Sequence, residues 1–110
     1  MNTDRDLLEA AAKTAGLHVD MRSSIPDYLW VREIELHGPY RTWNPLTDDA
    51  DALRLAVALR IEIEPWIHGD SACARAAVGE VLIDEPHYGD NPGRATRRAI
   101  VRAAAAMVAG

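Results

Sequence analysis

Cysteine is almost absent, since Cys73 is the only one in a chain of 110 residues. One cysteine excludes both an intramolecular disulfide and a zinc site built from several thiolates, and it fits a reducing compartment. No apolar run approaches the roughly 20 residues of a membrane-spanning helix. The first ten residues, MNTDRDLLEA, carry charge where a signal peptide would have its apolar segment. We therefore expect a cytoplasmic protein that does not enter a membrane.

The recurrent motifs of catalysis and nucleotide binding are also missing. The sequence contains no GxSxG, P-loop, GxGxxG or HExxH string. Metal sites commonly use ligands at short spacing, whereas no two histidines lie within four residues of each other (His18, His37, His68, His87). Cys73 is expected to be a small buried apolar residue rather than a nucleophile. The sequence thus predicts neither an enzyme, nor a metal site, nor a cofactor.

Positive charge is scarce, with 12 Lys and Arg against 17 Asp and Glu and a formal net charge of −5. Binding to a nucleic-acid backbone requires a basic surface, so direct nucleic-acid binding is disfavoured. An acidic surface suits solubility, or a basic protein partner. Because 48% of the residues are hydrophobic, we expect residues 1–110 to fold as one domain with its own core.

The apolar periodicity predicts six elements in the order α-β-α-β-β-α. Helices are expected over residues 4–15, from 47 to about 60, and over 93–108, and strands over 28–37, 61–67 and 72–84. The two later strands should form an antiparallel hairpin. The fold class that follows is α+β, with a small antiparallel three-stranded sheet covered by helices.

Several polar residues and glycines predict where these elements begin or bend. Thr3 begins a capping-box pattern at the first helix. Thr47 is expected to cap the second helix, ahead of a run of aspartates that suits its first turn. Asn91 or Asp90 is expected to cap the last helix. Gly79 is expected to mark a bulge within the last strand.

Glutamates alternate with apolar residues in two of the extended segments. Glu33 and Glu35 share one face of the first strand, and Glu62 and Glu64 share one face of the second, together with Trp66. If both rows line the same sheet face, the sheet presents an acidic surface. We take this surface as the first candidate binding site.

The irregular stretch after the first strand carries two further aromatic residues. Tyr40 and Trp43 could be exposed contact anchors, because amphipathic rings are frequent in binding loops. Alternatively, Trp43 folds back onto the sheet. We prefer this second interpretation for Trp43, because a large ring gains most from burial.

A row of arginines lies along the last predicted helix. Arg94, Arg98 and Arg102 are spaced i, i+4, i+8, with Arg97 beside them. Such guanidinium groups could clamp phosphates or carboxylates. We prefer a solvated face, or pairing within the chain to the aspartates at the start of the second helix, which are Asp48, Asp49 and Asp51.

Three segments, WNPLTDDADALRLAVAL, NPGRATRRAIVRAAA and LLEAAAKTAGL, carry a family resemblance. Together they resemble small uncharacterised proteins of tailed phages and prophages, sometimes called phage ABA-sandwich proteins. The resemblance covers Leu7–Leu17, Trp43–Leu59 and Asn91–Ala105. It implies a layered α/β fold and a phage or prophage origin, and it assigns no catalytic residue.

These observations lead to one principal hypothesis and two alternatives. The principal one is a non-enzymatic accessory protein that binds a host protein through the acidic face and the aromatic loop, for example as an anti-CRISPR-like inhibitor. The first alternative is a small-molecule or nucleotide-binding module that uses the arginine row and the loops His68–Cys73 and His87–Asp90. The second is an enzyme built on His87 with Asp84 or Glu85. A homodimer is compatible with all of them.

Overall fold

The computed structural model describes residues 3–20, 28–33, 39–68, 71–86 and 91–108, and for 65–68, 71–73 and 108 it describes the backbone alone. The chain is α+β, as predicted. Over the described residues the order is α-β-β-β-α-β-β-β-α, so one helix and three strands occur twice in succession before a last helix. The elements are α1 (Asp4–Thr14), β1 (Leu17–Val19), β2 (Leu29–Glu33), β3 (Arg41–Trp43), α2 (Asp49–Leu59), β4 (Glu62–His68), β5 (Ser71–Val78), β6 (Val81–Pro86) and α3 (Pro92–Val108).

The strands form two antiparallel three-stranded sheets, and the prediction of a single sheet is wrong. Sheet A has the order β1-β2-β3 and sheet B the order β4-β5-β6. The first predicted strand pairs with its short neighbours β1 and β3 and not with β4. Strands β1 and β3 have three residues each, which is too short for alternation to reveal them. The predicted hairpin between the two later extended segments is confirmed by the pairing of β4 with β5.

Gly79 lies in a turn, and the predicted bulge is wrong. The turn splits the predicted strand 72–84 into β5 and β6, which pair from Val78 opposite Val81 onward. The φ angle of Gly79 is +57°, a backbone conformation that side chains with a Cβ disfavour. Gly79 therefore reverses the chain where a bulge would only have bent it.

Two of the three predicted helix caps are confirmed. Thr3 forms the expected capping box at α1, and Asn91 Oδ1 accepts a hydrogen bond from the backbone of α3 at 3.0 Å. Thr47 does not cap α2, because Asp48 Oδ1 accepts from the backbone N–H of Asp51 at 2.9 Å instead. Thr47 belongs to the preceding turn, where its N–H donates to Asn44. The carboxylate of Asp48, at the N-cap of α2, also interacts favourably with the helix dipole.

The core is held together by close packing of α1 on α3. Ala11 and Ala12 of α1 and Ala103 and Ala104 of α3 are fully buried. Small side chains let two helices approach closely, and α1 in turn packs on sheet A while α3 packs on sheet B and α2. The helix pair therefore joins the two sheets in one elongated body of 48 × 27 × 27 Å.

The two helices run in the same direction. Near the start of both, Asp4 Oδ1 lies 3.0 Å from Arg98 Nη1. Further along, Thr14 Oγ1 donates to the carbonyl of Ala104 at 2.8 Å. Within the described residues, no helix is both long and apolar enough to cross a membrane.

Two leucines of α2 provide a test of the core. Leu55 is 2% exposed and Leu53 is 60% exposed. We expect Leu55→Ala to lower the free energy of unfolding by about 2–5 kcal/mol, because it leaves a cavity in the core. Leu53→Ala, the matched control on the same helix, should cost less than about 0.5 kcal/mol. Urea denaturation measures both, and equal losses would contradict the orientation of α2.

Candidate functional site

The two predicted glutamate rows do not share a surface. Glu33 lies in β2 of sheet A, whereas Glu62 and Glu64 lie in β4 of sheet B, and Glu35 lies outside the described residues. Glu33 also accepts a hydrogen bond from Arg41 Nη2 at 2.9 Å, and this hydrogen bond lowers the pKa of the Glu33 carboxyl. The prediction of one continuous acidic sheet face is therefore wrong, and Glu33 is partly neutralised.

Sheet B nevertheless presents an acidic face of its own. In an antiparallel sheet, directly opposed residues point to the same side. The register aligns Glu64, Arg75 and Asp84 in one row across the three strands, and Glu62, Ala77 and Leu82 in the next. We call these six residues the outer face of sheet B.

The outer face of sheet B is open to solvent. Glu62, Glu64 and Asp84 are exposed, and so is Leu82, at 57%. The alternate residues of β5, Ala74 and Ala76, are buried on the other side, where α3 packs. The strand alternation therefore separates a covered apolar face from a solvated polar face.

One arginine compensates only part of the charge on this face. Arg75 binds Asp84 with two hydrogen bonds, from Nε to Oδ1 at 2.7 Å and from Nη2 to Oδ2 at 3.2 Å. The Arg75 hydrogen bonds lower the pKa of the Asp84 carboxyl. Among the described residues, no cation forms an ion pair with Glu62 or Glu64. With three carboxylates and one guanidinium, the outer face has a negative excess.

Tyr40 and Trp43 do not extend this acidic face. Trp43 is 3% exposed. The prediction that it folds back onto the sheet is confirmed, and the alternative that it is an exposed contact anchor is wrong. Tyr40 is half-buried and lies beside sheet A, with the Arg32 guanidinium 4.9 Å from its ring centre and the His18 ring 6.0 Å away. Trp66 lies in β4, but its side chain lies outside the described part of the chain.

Three of the four predicted arginines of α3 pair within the chain, as preferred from the sequence, although mainly with other partners. Arg97 Nη1 lies 2.8 Å from Asp49 Oδ1, which is one of the predicted partners. Arg98 and Arg102 instead both bind Glu85, whose side chain is only 7% exposed. Arg98 Nε lies 3.4 Å from Glu85 Oε1, and Arg102 Nη1 bonds to Glu85 Oε2.

Glu85 and Asp4 are the partners that the sequence reasoning missed. Glu85 follows Val81 and Ile83 at a spacing of two, so it continues the inward row of β6. A carboxylate in an inward row requires a cation, because an unpaired buried charge is costly. That signal was available in the sequence, whereas the approach of Asp4 depends on how α1 packs on α3.

The structure describes two of the three residues of the proposed catalytic group, Asp84 and Glu85. Asp84 and Glu85 are consecutive in β6, so their side chains lie on opposite sides of sheet B, and each is paired with arginine. His87 lies outside the described residues. Within the described ranges, no three side chains of metal-ligating type come together, and for Cys73 only the backbone in β5 is described. His68 lies in β4, again without a described side chain.

No model of a protein family, no curated protein and no solved structure matches this chain. The resemblance to phage ABA-sandwich proteins therefore stays a prediction. The function has to be inferred from the two charged features that the fold creates, which are the outer face of sheet B and the arginine cluster of α3.

The Arg75–Asp84 pair can be tested by titration. We expect the Asp84 carboxyl to titrate below its ordinary pKa, and Arg75→Gln to raise the pKa of Asp84 towards that value. Because the folded-state pKa is the lower one, the pair stabilises the fold above the unfolded-state pKa, and this stabilisation is lost as the pH falls through the folded-state pKa. Carboxyl NMR over the acid range measures the shift, and an Asp84 pKa that does not respond to Arg75→Gln would contradict the pairing.

Proposed function

We propose that this protein is a non-catalytic binding protein that docks the outer face of sheet B onto a basic surface of a host protein. The observation that carries the proposal is the exposed pair Glu62 and Glu64, for which the described residues supply no ion-pair partner. Such charges stay solvated in the free protein, and they gain Coulomb energy when a cationic surface approaches.

The geometry of the face favours a flat, polar contact. Its carboxylates stand on a rigid ladder, with residues i and i+2 of a strand about 7 Å apart. The bidentate Arg75–Asp84 pair fixes the third carboxylate, so that little side-chain freedom has to be lost on binding. Leu82 adds an apolar element beside the charges, which suits a protein partner.

The size of the face sets the character of the complex. Three strands of up to eight residues cover roughly 300–400 Å² at ordinary strand spacing. A stable interface buries about 800 Å² on each partner. Docking therefore also needs electrostatic attraction and contacts from the surface around this face. We expect a high association rate that falls as the salt concentration rises.

A host protein that binds nucleic acid is the partner whose chemistry fits best. Surfaces that bind a phosphate backbone are rich in Lys and Arg, and fixed carboxylates compete for the same cations. The resemblance to phage and prophage proteins gives this chemistry a setting in the cytoplasm of a bacterial host. An inhibitor of a defence effector, of the anti-CRISPR kind, is the specific form of the proposal.

Charge reversal tests the docking face. We expect Glu62→Lys with Glu64→Lys to abolish co-purification of the partner from a host lysate, because the reversed face repels a basic surface. The purified partner should then bind the wild-type protein with an association rate that falls as salt is added. An excess of nucleic acid should displace the wild-type protein from it.

The matched control carries the same change of net charge elsewhere. Glu9→Lys with Glu80→Lys alters two exposed or half-exposed glutamates of α1 and of the β5–β6 turn, and it should leave partner binding within about twofold of wild type, since such surface contacts contribute little. Equal loss of binding in the two double variants would point to net charge alone. That result would contradict the proposal. Retention of the partner by the double variant Glu62→Lys, Glu64→Lys would contradict it too.

A further inference from the structure

We infer that the cavity at the start of α3 is a binding site for a small phosphomonoester. The cavity has a volume of about 510 Å³ and lies between the first residue of α1, the end of β6 and the first turns of α3. Among the described residues, its polar lining comprises Asp4, Glu85, Asn91, Arg94, Arg98 and Arg102. This site is separate from the outer face of sheet B, and the inference does not depend on the docking proposal.

The size and lining of the cavity suit a small charged ligand. Small-molecule sites in proteins typically measure about 300–1,000 Å³. This cavity is mainly polar, with Ala95 and Pro86 as its apolar lining residues. An apolar ligand would leave the unused N–H donors of the guanidinium groups without acceptors, whereas an anion would accept hydrogen bonds from them.

Glu85 holds two of the arginines in position. It is buried at the floor and binds Arg98 through one oxygen and Arg102 through the other. Each guanidinium carries five N–H donors, and these contacts and the one from Arg98 to Asp4 use only some of them. The remaining donors are therefore preorganised, which lowers the entropic cost of capturing an anion.

The charge balance of the cavity favours an anion. Among the lining residues that the structure describes, three guanidinium groups face two carboxylates, and both carboxylates are already engaged in ion pairs. Arg94 is exposed, and its side chain forms no ion pair with another described residue. The helix dipole adds partial positive charge at this end of α3, although Asn91 itself accepts the N–H of Arg94.

A phosphate group matches these donors better than a smaller anion does. Guanidinium groups bind phosphate with paired, parallel hydrogen bonds. A phosphate group has enough acceptor oxygens to accept hydrogen bonds from Arg94 and Arg98 together. The exposed carboxylate of Asp4 can accept hydrogen bonds from hydroxyl groups on the rest of the ligand, which selects an ester of a hydroxylated molecule.

Calorimetric titration with inorganic phosphate and with glycerol phosphate, at constant ionic strength, tests the site. We expect saturable binding of both by the wild-type protein, with the ester binding more tightly. Arg94→Gln should weaken both by about tenfold or more, the equivalent of about 1.4 kcal/mol. It should leave the melting temperature unchanged, because Arg94 takes no part in the Glu85 ion pairs.

The control is Lys13→Gln, which removes one positive charge from an exposed position near the other end of α1. Its affinity for both ligands should equal that of the wild type. Absence of saturable binding would overturn the inference, as would equal weakening by Arg94→Gln and Lys13→Gln. The variant with lysines at 62 and 64 should still bind phosphate, so that failure of the docking proposal and failure of this inference can be told apart.

Discussion

The contact between α1 and α3 is the constraint on which the rest of the structure depends. Both helices contribute completely buried alanines to the core, Ala11 and Ala12 on one helix and Ala103 and Ala104 on the other. A larger side chain at any of these positions would force the helices apart, because protein cores tolerate little extra volume. Each helix supports one sheet, so the same contact also determines how the two sheets are joined.

The parallel direction of the two helices creates the arginine cluster. It brings Asp4, near the beginning of the chain, within 3.0 Å of Arg98, near its end. Since α3 also covers the inner side of sheet B, Glu85 meets the same arginine from β6. Three distant parts of the sequence thus meet at one cluster of charges, and local capping or propensity alone would not have produced it.

The local features of the fold could be predicted from the sequence, and the long-range features could not. The helices, the capping box at Thr3 and the cap at Asn91 follow from a few neighbouring residues. Sheet A was not predicted as a separate sheet. Its strand β3, Arg41–Trp43, has only three residues, which are too few to show an alternation of apolar and polar side chains, and its pairing with β2 depends on residues distant in the sequence. The glutamate rows had the correct alternation but were placed in one sheet, since a strand pattern does not say which strands are neighbours. The burial of Trp43, in contrast, was preferred from the size of its ring, and it is confirmed.

The distribution of charge shows why the acidic composition is a poor guide to what this protein binds. The net charge of −5 does not describe either charged feature, because β6 places consecutive carboxylates on opposite sides of sheet B. Asp84 remains outside, in a face where carboxylates exceed cations, while Glu85 points inward and binds Arg98 and Arg102. A single strand therefore divides an acidic surface from a basic cavity. What each of them attracts is determined by this local balance, since exposed charges more than a Debye length of about 8–10 Å apart scarcely interact at physiological salt.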